Sequence, residues 1–414
     1  MSEQVSISHI SQQLSGTIDL PGSKSESNRI LIINALSGNA SKVTHLSPSN
    51  DTKILMQALE SDKTEIDVLD AGTAMRFLIA YFAATKQNKV ITGTERMLQR
   101  PVGHLVDALN SLGANIEYMN KPGFPPIKIN GDQSVFKGNK IKIQATISSQ
   151  FISAILMIAP LLPCGLKIEL EGGIFSRPYI EMTLEIMRHF GITSEWLNNT
   201  IIIKKQDYIP AGYTVESDWS SAACWYSMAA LSEDTTVFLK GLKRNSLQGD
   251  AIIKEWFLPF GVVTEFSDTG AFITKDSENL SKLPAIIDFS ANPDLAQTMI
   301  ALCAVKGVSC KFTGLESLRI KETDRIQALQ NELIKFNVSL VGDTHGIFNI
   351  HGIFNANVSS CIETYNDHRM AMAFAPLALK CKKISINNPS CMKKSYPALW
   401  KDMEIAGFST EHKI

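Results

Sequence analysis

Six short segments of this chain place small polar or charged residues at the start of an almost wholly apolar run. In LPGSKSESNR, Lys24, Ser25 and Arg29 surround one such start. In DAGTAMR, Gly72 lets a ligand approach the backbone closely, and Arg76 follows one turn later. Ser148, Ser149 and Gln150 supply hydroxyls and an amide at a third start, and NDHRMAM sets Asp367, His368 and Arg369 at another. The first turn of a helix exposes unsatisfied N–H groups and a partial positive charge, so residues of these types there suit small anions. Taken singly, Ser148 or Asp367 is more often just a helix cap.

Further cations and two carboxylates extend the pattern. Read as one helix, LRIKETDRIQAL puts Lys321 and Arg325 at i and i+4 on one face, with Glu322 three residues before Arg325. Such a pair suits a phosphate dianion and a carboxylate, and Arg can hold either bidentately. The same spacing also describes a solvated ion-pair ladder. CMKKSYP contributes Lys393 and Lys394, and Arg100 stands just before Pro101 at an amphipathic helix start. Asp294, after Pro293 at a core-helix start, and Glu322, beside Lys321, are placed for proton transfer. Burial raises a carboxyl pKa and neighbouring cations lower it, so one acid and one base can coexist.

The elements that must position these residues recur along the chain. The apolar helices are SKSESNRILIINALS, DAGTAMRFLIAYFAA, SSQFISAILMIAPLL, DWSSAACWYSMAALS, NPDLAQTMIALCAV and NDHRMAMAFAPLALK. A helix apolar on all sides is a core helix. Between them lie amphipathic helices such as RPVGHLVDALNSLGANIEY, GDAIIKEWFLPFGVVTEF and ETDRIQALQNELIKFNVSL. Gly113, Gly191, Gly261, Gly407 and Asn337 fit their C-terminal caps. Runs such as KIKIQA, LKIELEGG, TTVFLKG, CKFTGL and KISINN read as strands. Core-helix starts at Lys24, Asp70, Ser148, Asp218, Asp294 and Asp367 are spaced by 46, 78, 70, 76 and 73 residues. That period predicts six βαβαββ-like units. The first is shortened, passing from ALESDKTEIDVLD to the next core helix without a closing hairpin. Six units exceed one hydrophobic core, so two domains of three units each are expected.

Composition narrows the chemistry. The 414 residues carry 40 Lys+Arg against 41 Asp+Glu, a net charge of −1, with 44% hydrophobic and 20% charged residues. This predicts a folded globular chain and disfavours a general nucleic-acid binder, while leaving room for a local basic pocket. MSEQVSISHISQQ lacks a basic, apolar leader pattern, and the longest apolar stretch, Phe151 to Leu162, is too short to span a bilayer. It reads as a buried helix. The seven cysteines form no CxxC pair and the eight histidines no HxxxH pair. A cytoplasmic protein with reduced thiols, no metal and no membrane association is expected.

Together the segments LPGSKSESNR, AGTAMR, RPVGHLVDAL, SSQF, SRPYIE, NPDLAQT, KETDRI, YNDHRMAM and the Lys394 region resemble the 5-enolpyruvylshikimate-3-phosphate synthases, from residue 20 to about 397. KETDR with YNDHRMAM at this separation is the specific part. The resemblance implies an α/β protein of two globular domains, each of three βαβαββ units in an inside-out α/β barrel. Two crossover strands near 20 and 216 would join them, and the domains would close over the substrates. It pairs residues 21–216 as one domain and 1–20 with 217–414 as the other.

The implied activity is transfer of the enolpyruvyl group of phosphoenolpyruvate to the 5-hydroxyl of shikimate 3-phosphate, by a monomer without a cofactor. Carried over by motif, shikimate 3-phosphate would meet Lys24, Ser25, Arg29, Ser148, Ser149, Gln150, Ser176 and Tyr179, with Asp294, Ser317 and Lys321. Phosphoenolpyruvate would meet Lys24, Gly72, Arg100, Gln150, Arg325, Arg369 and Lys394. Asp294, Glu322 and Lys24 would carry the proton transfers. Two positions depart from the family: Asp70 stands where Asn is usual before AGTAMR, and Ser317 where Asn is frequent four residues before the KETDR lysine. The readings set against this one are a UDP-N-acetylglucosamine enolpyruvyl transferase, which shares fold and donor, and a non-catalytic anion-binding relative.

Overall fold

In a computed structural model of the chain, residues 3–413 are described apart from 146, 147, 277, 279 and 359. Two compact units emerge, Lys24–Val215 and Met1–Ser23 with Glu216–Ile414. Among the described residues, five sheets have four strands and share one topology.

In the Lys24–Val215 unit, Glu65–Asp67 runs parallel to Asn88–Thr92, which pairs antiparallel with Ile127–Asn130 and through it with Ile116–Tyr118. Lys140–Gln144, Leu166–Glu171, Thr200–Ile203 and Ser194–Leu197 repeat that order. In the other unit, Gln13–Ile18, Asp234–Lys240, Gly270–Lys275 and Val262–Ser267 form one such sheet. Ile286–Asp288, Lys311–Thr313, Phe348–Gly352 and Val338–Gly342 form the next. The last joins Ser360–Ile362 and Ile384–Asn387 to Gln4–Ser8 and Ser409–Lys413, so the N-terminal strand completes the C-terminal sheet. Among the described residues the shortened unit retains a parallel pair, Val43–Thr44 with Tyr213–Thr214. After the helix Asn50–Leu59 the chain passes directly into Glu65–Asp67, the first strand of the next sheet, without a hairpin.

Parallel neighbours need a crossover, and in the four-stranded sheets it includes an apolar helix. The apolar helices span Lys24–Leu36, Gly72–Ala84, Ser149–Ile158, Trp219–Leu231, Ala296–Lys306 and His368–Phe374, and the first of them precedes both strands of the two-stranded sheet. The Gly72 helix is buried from Gly72 to Ala83, and the Trp219 helix everywhere except Ser220. The Lys24 helix is the exception, with Leu31 and residues 34–36 only half-buried. Its unit has just the two-stranded sheet.

The five C-cap positions all have positive φ, from 61° at Asn337 to 108° at Gly113. Two helix expectations fail. GDAIIKEWFLPFG breaks into Gly249–Ile252, Ile253–Trp256 and Leu258–Phe260, because Pro259 lacks an N–H and disfavours α geometry in the residue before it. The helix of KETDRIQAL begins only at Arg325, since Asp324 caps it by accepting from the N–H groups of Ile326 and Gln327. Lys321 and Glu322 therefore precede the helix, and the i,i+4 pairing of Lys321 with Arg325 does not exist.

Gly113 offers a sharp test of the turn chemistry. A Cβ there would lie 2.1 Å from the Val135 carbonyl oxygen at a φ of 108°, whereas at Gly38 (φ 81°) nothing lies within 4 Å. In thermal unfolding, Gly113→Ala should cost more than about 3 kcal/mol, adding steric overlap to left-handed strain, and Gly38→Ala only about 1 kcal/mol. Equal costs would show that backbone strain alone sets the penalty.

Candidate active site

In the Lys24–Val215 unit the first turns of four helices lie side by side. Arg29, fully buried, donates through Nε to Thr183 Oγ1 at 2.7 Å, through Nη1 to the Ser25 carbonyl at 2.8 Å, and through Nη2 to Ser153 Oγ at 3.0 Å and the Tyr179 carbonyl at 3.3 Å. Its guanidinium also lies 5.5 Å from the Phe77 ring and 5.9 Å from that of Tyr179. Burial pulls its pKa down to about 10, against the opposing pull of Tyr179 and Glu26, so it stays charged. These bonds tie the Lys24, Ser149 and Arg177–His189 helices together.

Above it, Arg76 Nη1 donates to the Gly72 carbonyl at 2.9 Å and to Gln150 Oε1 at 3.0 Å, while Gln150 Nε2 donates to Thr73 Oγ1 at 3.1 Å. This joins the starts of the Gly72 and Ser149 helices. A Cβ at Gly72 would lie 2.5 Å from Arg100 Nη1 and 2.7 Å from Arg76 Nη1, so glycine makes room for two guanidiniums. No side chain caps the Gly72 helix and its first turn holds no acid, which leaves its positive end facing those cations. Asp70, the departure noted above, accepts a hydrogen bond from Thr94 Oγ1.

Ser148 caps its helix through the Gln150 N–H at 3.3 Å, and Ser149 is buried in the same first turn. Ser176, at φ 53°, precedes the Arg177 helix without a side-chain cap bond, and Tyr179 lies in that helix's first turn. Lys24 opens its helix with Nζ 3.6 Å from Asp51 Oδ2.

The second unit gathers its charges at the starts of three helices. Arg325 donates to Asp367 Oδ2 at 2.7 Å, Asp294 Oδ1 at 3.1 Å and Glu322 Oε2 at 2.8 Å. Arg369 donates to Asp294 Oδ2 at 2.8 Å and to the Asp294 carbonyl at 2.8 Å. Burial opposes the charge on Arg325, but Asp367, Glu322 and Asp294 overcome it and raise its pKa. Asp294 stands in the short turn Pro293–Leu295, two residues before the first residue of the Ala296 helix. Burial pushes its pKa up, but Arg369, Lys321 and Arg325 together hold it well below the usual carboxylate range. It is therefore ionised and can accept a proton.

Asp367 does cap the His368 helix, accepting the Arg369 N–H at 2.9 Å, and also clamps Arg325, so the two readings of that residue coincide. Lys394, at the end of the turn Pro389–Lys394, donates to the Asn366 carbonyl at 3.1 Å. Ser317 lies in the turn Glu316–Ile320 that leads into Lys321.

Three residues here escape the site list drawn from motifs. Arg76 was visible one turn after Gly72. Thr183 and Asp250 carry no local signal. Asp250 is buried, accepts Asn292 Nδ2 at 3.1 Å, and is pushed up to about 6, first by burial and then by Asp294, against the pull of Arg369.

The sequence pattern of the family described as EPSP synthase (3-phosphoshikimate 1-carboxyvinyltransferase) matches residues 8–67 and 56–403. A 3-phosphoshikimate 1-carboxyvinyltransferase of Bacteroides fragilis strain YCH46 is 46% identical over 399 residues, covering 96% of each chain. One from Tolumonas auensis is 34% identical over 415 residues, covering 93% of this chain and 95% of its own. The solved EPSP synthase of Acinetobacter baumannii superposes with a TM-score of 0.76 over 100% of both chains at 22% identity, which speaks to the fold.

Asp250 yields a stability prediction. Because its folded pKa is raised, its contribution is fully present below the ordinary aspartate pKa near 4 and is lost as pH rises through about 6. A shift of about 2 units corresponds to about 3 kcal/mol. Wild type should lose that much relative to Asp250→Asn between pH 4 and pH 7.5 in denaturant unfolding. A pH-independent difference would contradict the assignment.

The matched length, the shared motifs and the shared fold converge: the chain belongs to the EPSP synthase (3-phosphoshikimate 1-carboxyvinyltransferase) family.

Proposed function

We propose that this enzyme transfers the carboxyvinyl group of phosphoenolpyruvate to the 5-hydroxyl of shikimate 3-phosphate and releases phosphate, a step of aromatic amino-acid biosynthesis. The single observation that carries the site assignment is the placing of ionised Asp294 between Arg325 and Arg369, in a chain whose relatives at 46% and 34% identity are 3-phosphoshikimate 1-carboxyvinyltransferases. Those relatives favour shikimate 3-phosphate over a nucleotide-sugar acceptor. Cytoplasmic residence and a monomeric state belong to the same reading. Among the described residues no helix is long and apolar enough to cross a membrane.

Shikimate 3-phosphate would be held by Lys24, Ser25, Arg29, Ser148, Ser149, Gln150, Ser176, Tyr179, Asp294, Ser317 and Lys321. Arg29 also bonds the Ser25 and Tyr179 carbonyls, which fixes two neighbours of that set. Phosphoenolpyruvate would take the cations Arg100, Arg369 and Lys394 with Lys24, the Gly72 helix start and Gln150, and Arg325 would contribute its charge from the carboxylate clamp.

Addition begins as Glu322 or Lys24 delivers a proton to the methylene carbon of phosphoenolpyruvate, and the 5-hydroxyl oxygen attacks the electron-poor C2 while its own proton passes to Asp294. The product is a tetrahedral adduct. Returning a methyl proton to the group that supplied it expels phosphate, which takes up the proton held by Asp294, and leaves the enol ether. The chemistry at C2 passes through an oxocarbenium-like state, which the Asp294 and Glu322 carboxylates stabilise, while the cations align two anions and accept the departing charge.

The basicity of Asp294 responds to what is bound. A carboxylate held far below the usual range is a weak base. Bound phosphate and carboxylate groups offset the charge of Arg369 and Lys321, and the proton affinity of Asp294 rises when the reaction requires it.

Phosphate release from the two substrates tests this reading. Asp294→Ala should lower kcat by about 100- to 10,000-fold. Shikimate 3-phosphate affinity by titration calorimetry should stay within about threefold, equivalent to less than about 1 kcal/mol. Asp294→Asn, which keeps an acceptor for both arginines, should be as inactive. Parallel loss of binding and turnover would remove Asp294 from the role of base.

A further inference from the structure

The His368 helix is entered through a turn that its own residues disfavour. Tyr365 and Asn366 are successive non-glycine residues with φ of 52° and 59°. Left-handed residues of this kind persist only where the surroundings over-determine them. On one side, that constraint comes from Glu332 of the helix Arg325–Leu333, whose side chain is fully buried. Its Oε1 accepts the Tyr365 hydroxyl at 2.9 Å, and its Oε2 accepts the Glu363 N–H at 3.1 Å and Lys335 Nζ at 2.6 Å. Asn331 Nδ2 donates to the same tyrosine oxygen at 3.3 Å.

On the other side, the Asn366 carbonyl accepts Lys394 Nζ at 3.1 Å and its Oδ1 accepts Asn388 Nδ2 at 3.1 Å. The next residue, Asp367, clamps Arg325, and Arg369 follows two positions later. One turn thus leads directly to Arg369 and carries Lys394 on its carbonyl. Its shape depends on a carboxylate whose own hydrogen bonds go to Lys335, Glu363 and Tyr365.

We propose that Glu332, acting through Tyr365, is a positioning residue for the donor site: it holds the 365–366 turn left-handed and thereby sets where Arg369 and Lys394 stand. A buried carboxylate is costly unless paired and hydrogen-bonded, and here the bonds that satisfy it are the ones that close the turn. Without the tyrosine anchor, Tyr365 and Asn366 relax toward negative φ, which turns the Asn366 carbonyl away from Lys394 and shifts the entry to the helix that bears Arg369. The inference rests on the reading of Arg369 and Lys394 as ligands of phosphoenolpyruvate.

Steady-state kinetics on Tyr365→Phe and Glu332→Gln, with melting temperatures measured alongside, test it. Each variant should raise KM for phosphoenolpyruvate about tenfold, the scale of one lost hydrogen bond to a charged group, and leave KM for shikimate 3-phosphate within about twofold. Adding Asn366→Gly to Tyr365→Phe should recover part of the loss, because glycine holds a left-handed φ without steric cost. If Glu332→Gln does not fold, Tyr365→Phe alone decides. A lowered melting temperature with both KM values unchanged, or an equal rise in both, overturns the proposal. Arg369→Ala separates the two levels. If it raises KM for phosphoenolpyruvate and the turn variants do not, only the positioning role fails. If it leaves that KM unchanged, the donor-site reading fails and takes the positioning role with it.

Discussion

A helix buried on every side has only its ends left for polar chemistry, and that constraint organises this protein. The Gly72, Ser149, Trp219, Ala296 and His368 helices are almost wholly enclosed. The polar side chains Arg76, Gln150 and Arg369 lie within five residues of their helix starts and Asp294 stands two residues before its own, while Lys306 ends the Ala296 helix. The backbone contributes as well, because helix N-termini present N–H groups and a partial positive charge to whatever anion arrives. Packing thus brings the starts of the Gly72 and Ser149 helices together in one unit, and those of the Ala296 and His368 helices together in the other.

Two buried arginines show how differently such a place can be built. Arg29 is held by neutral acceptors, two hydroxyls and two carbonyls, so burial wins and its pKa falls. Arg325 is held by Asp367, Glu322 and Asp294, so the carboxylates win and its pKa rises. The first serves as a structural tie whose charge is moderated by its surroundings. The second is a charge hub: removing one carboxylate from a buried pair of this kind typically costs about 3 to 5 kcal/mol, because a charge is left uncompensated. Asp294 is tied to Arg325 and also shared with Arg369, so its charge is balanced by two cations at once.

Much of the architecture was legible in the residue pattern, for reasons that are local. Burial demands continuous apolar runs, caps demand small polar residues, and helix ends demand residues tolerant of positive φ. The six core helices, the ends at Gly113 and Asn337, and the missing hairpin after ALESDKTEIDVLD could all be read that way. What failed also has a local explanation. Lys321 and Arg325 look helical in spacing, but Asp324 competes as a cap and starts the helix at Arg325. Pro259 similarly interrupts a run whose apolar periodicity suggested one helix.

The chain by itself determined the repeated units, the N-terminal polar clusters and the residue types available for anion binding, because each of these depends on neighbours a few positions away. Tertiary structure alone decided what those residues do to one another. Arg29 meets Thr183 and Ser153 from helices more than a hundred residues distant, and ties those helices together. Asp250 meets Asn292, Glu332 meets Tyr365, and Asp294 is shared between two arginines. Such pairings set pKa values and hold strained turns through distance and burial, and both quantities are created only when the sheets and helices pack.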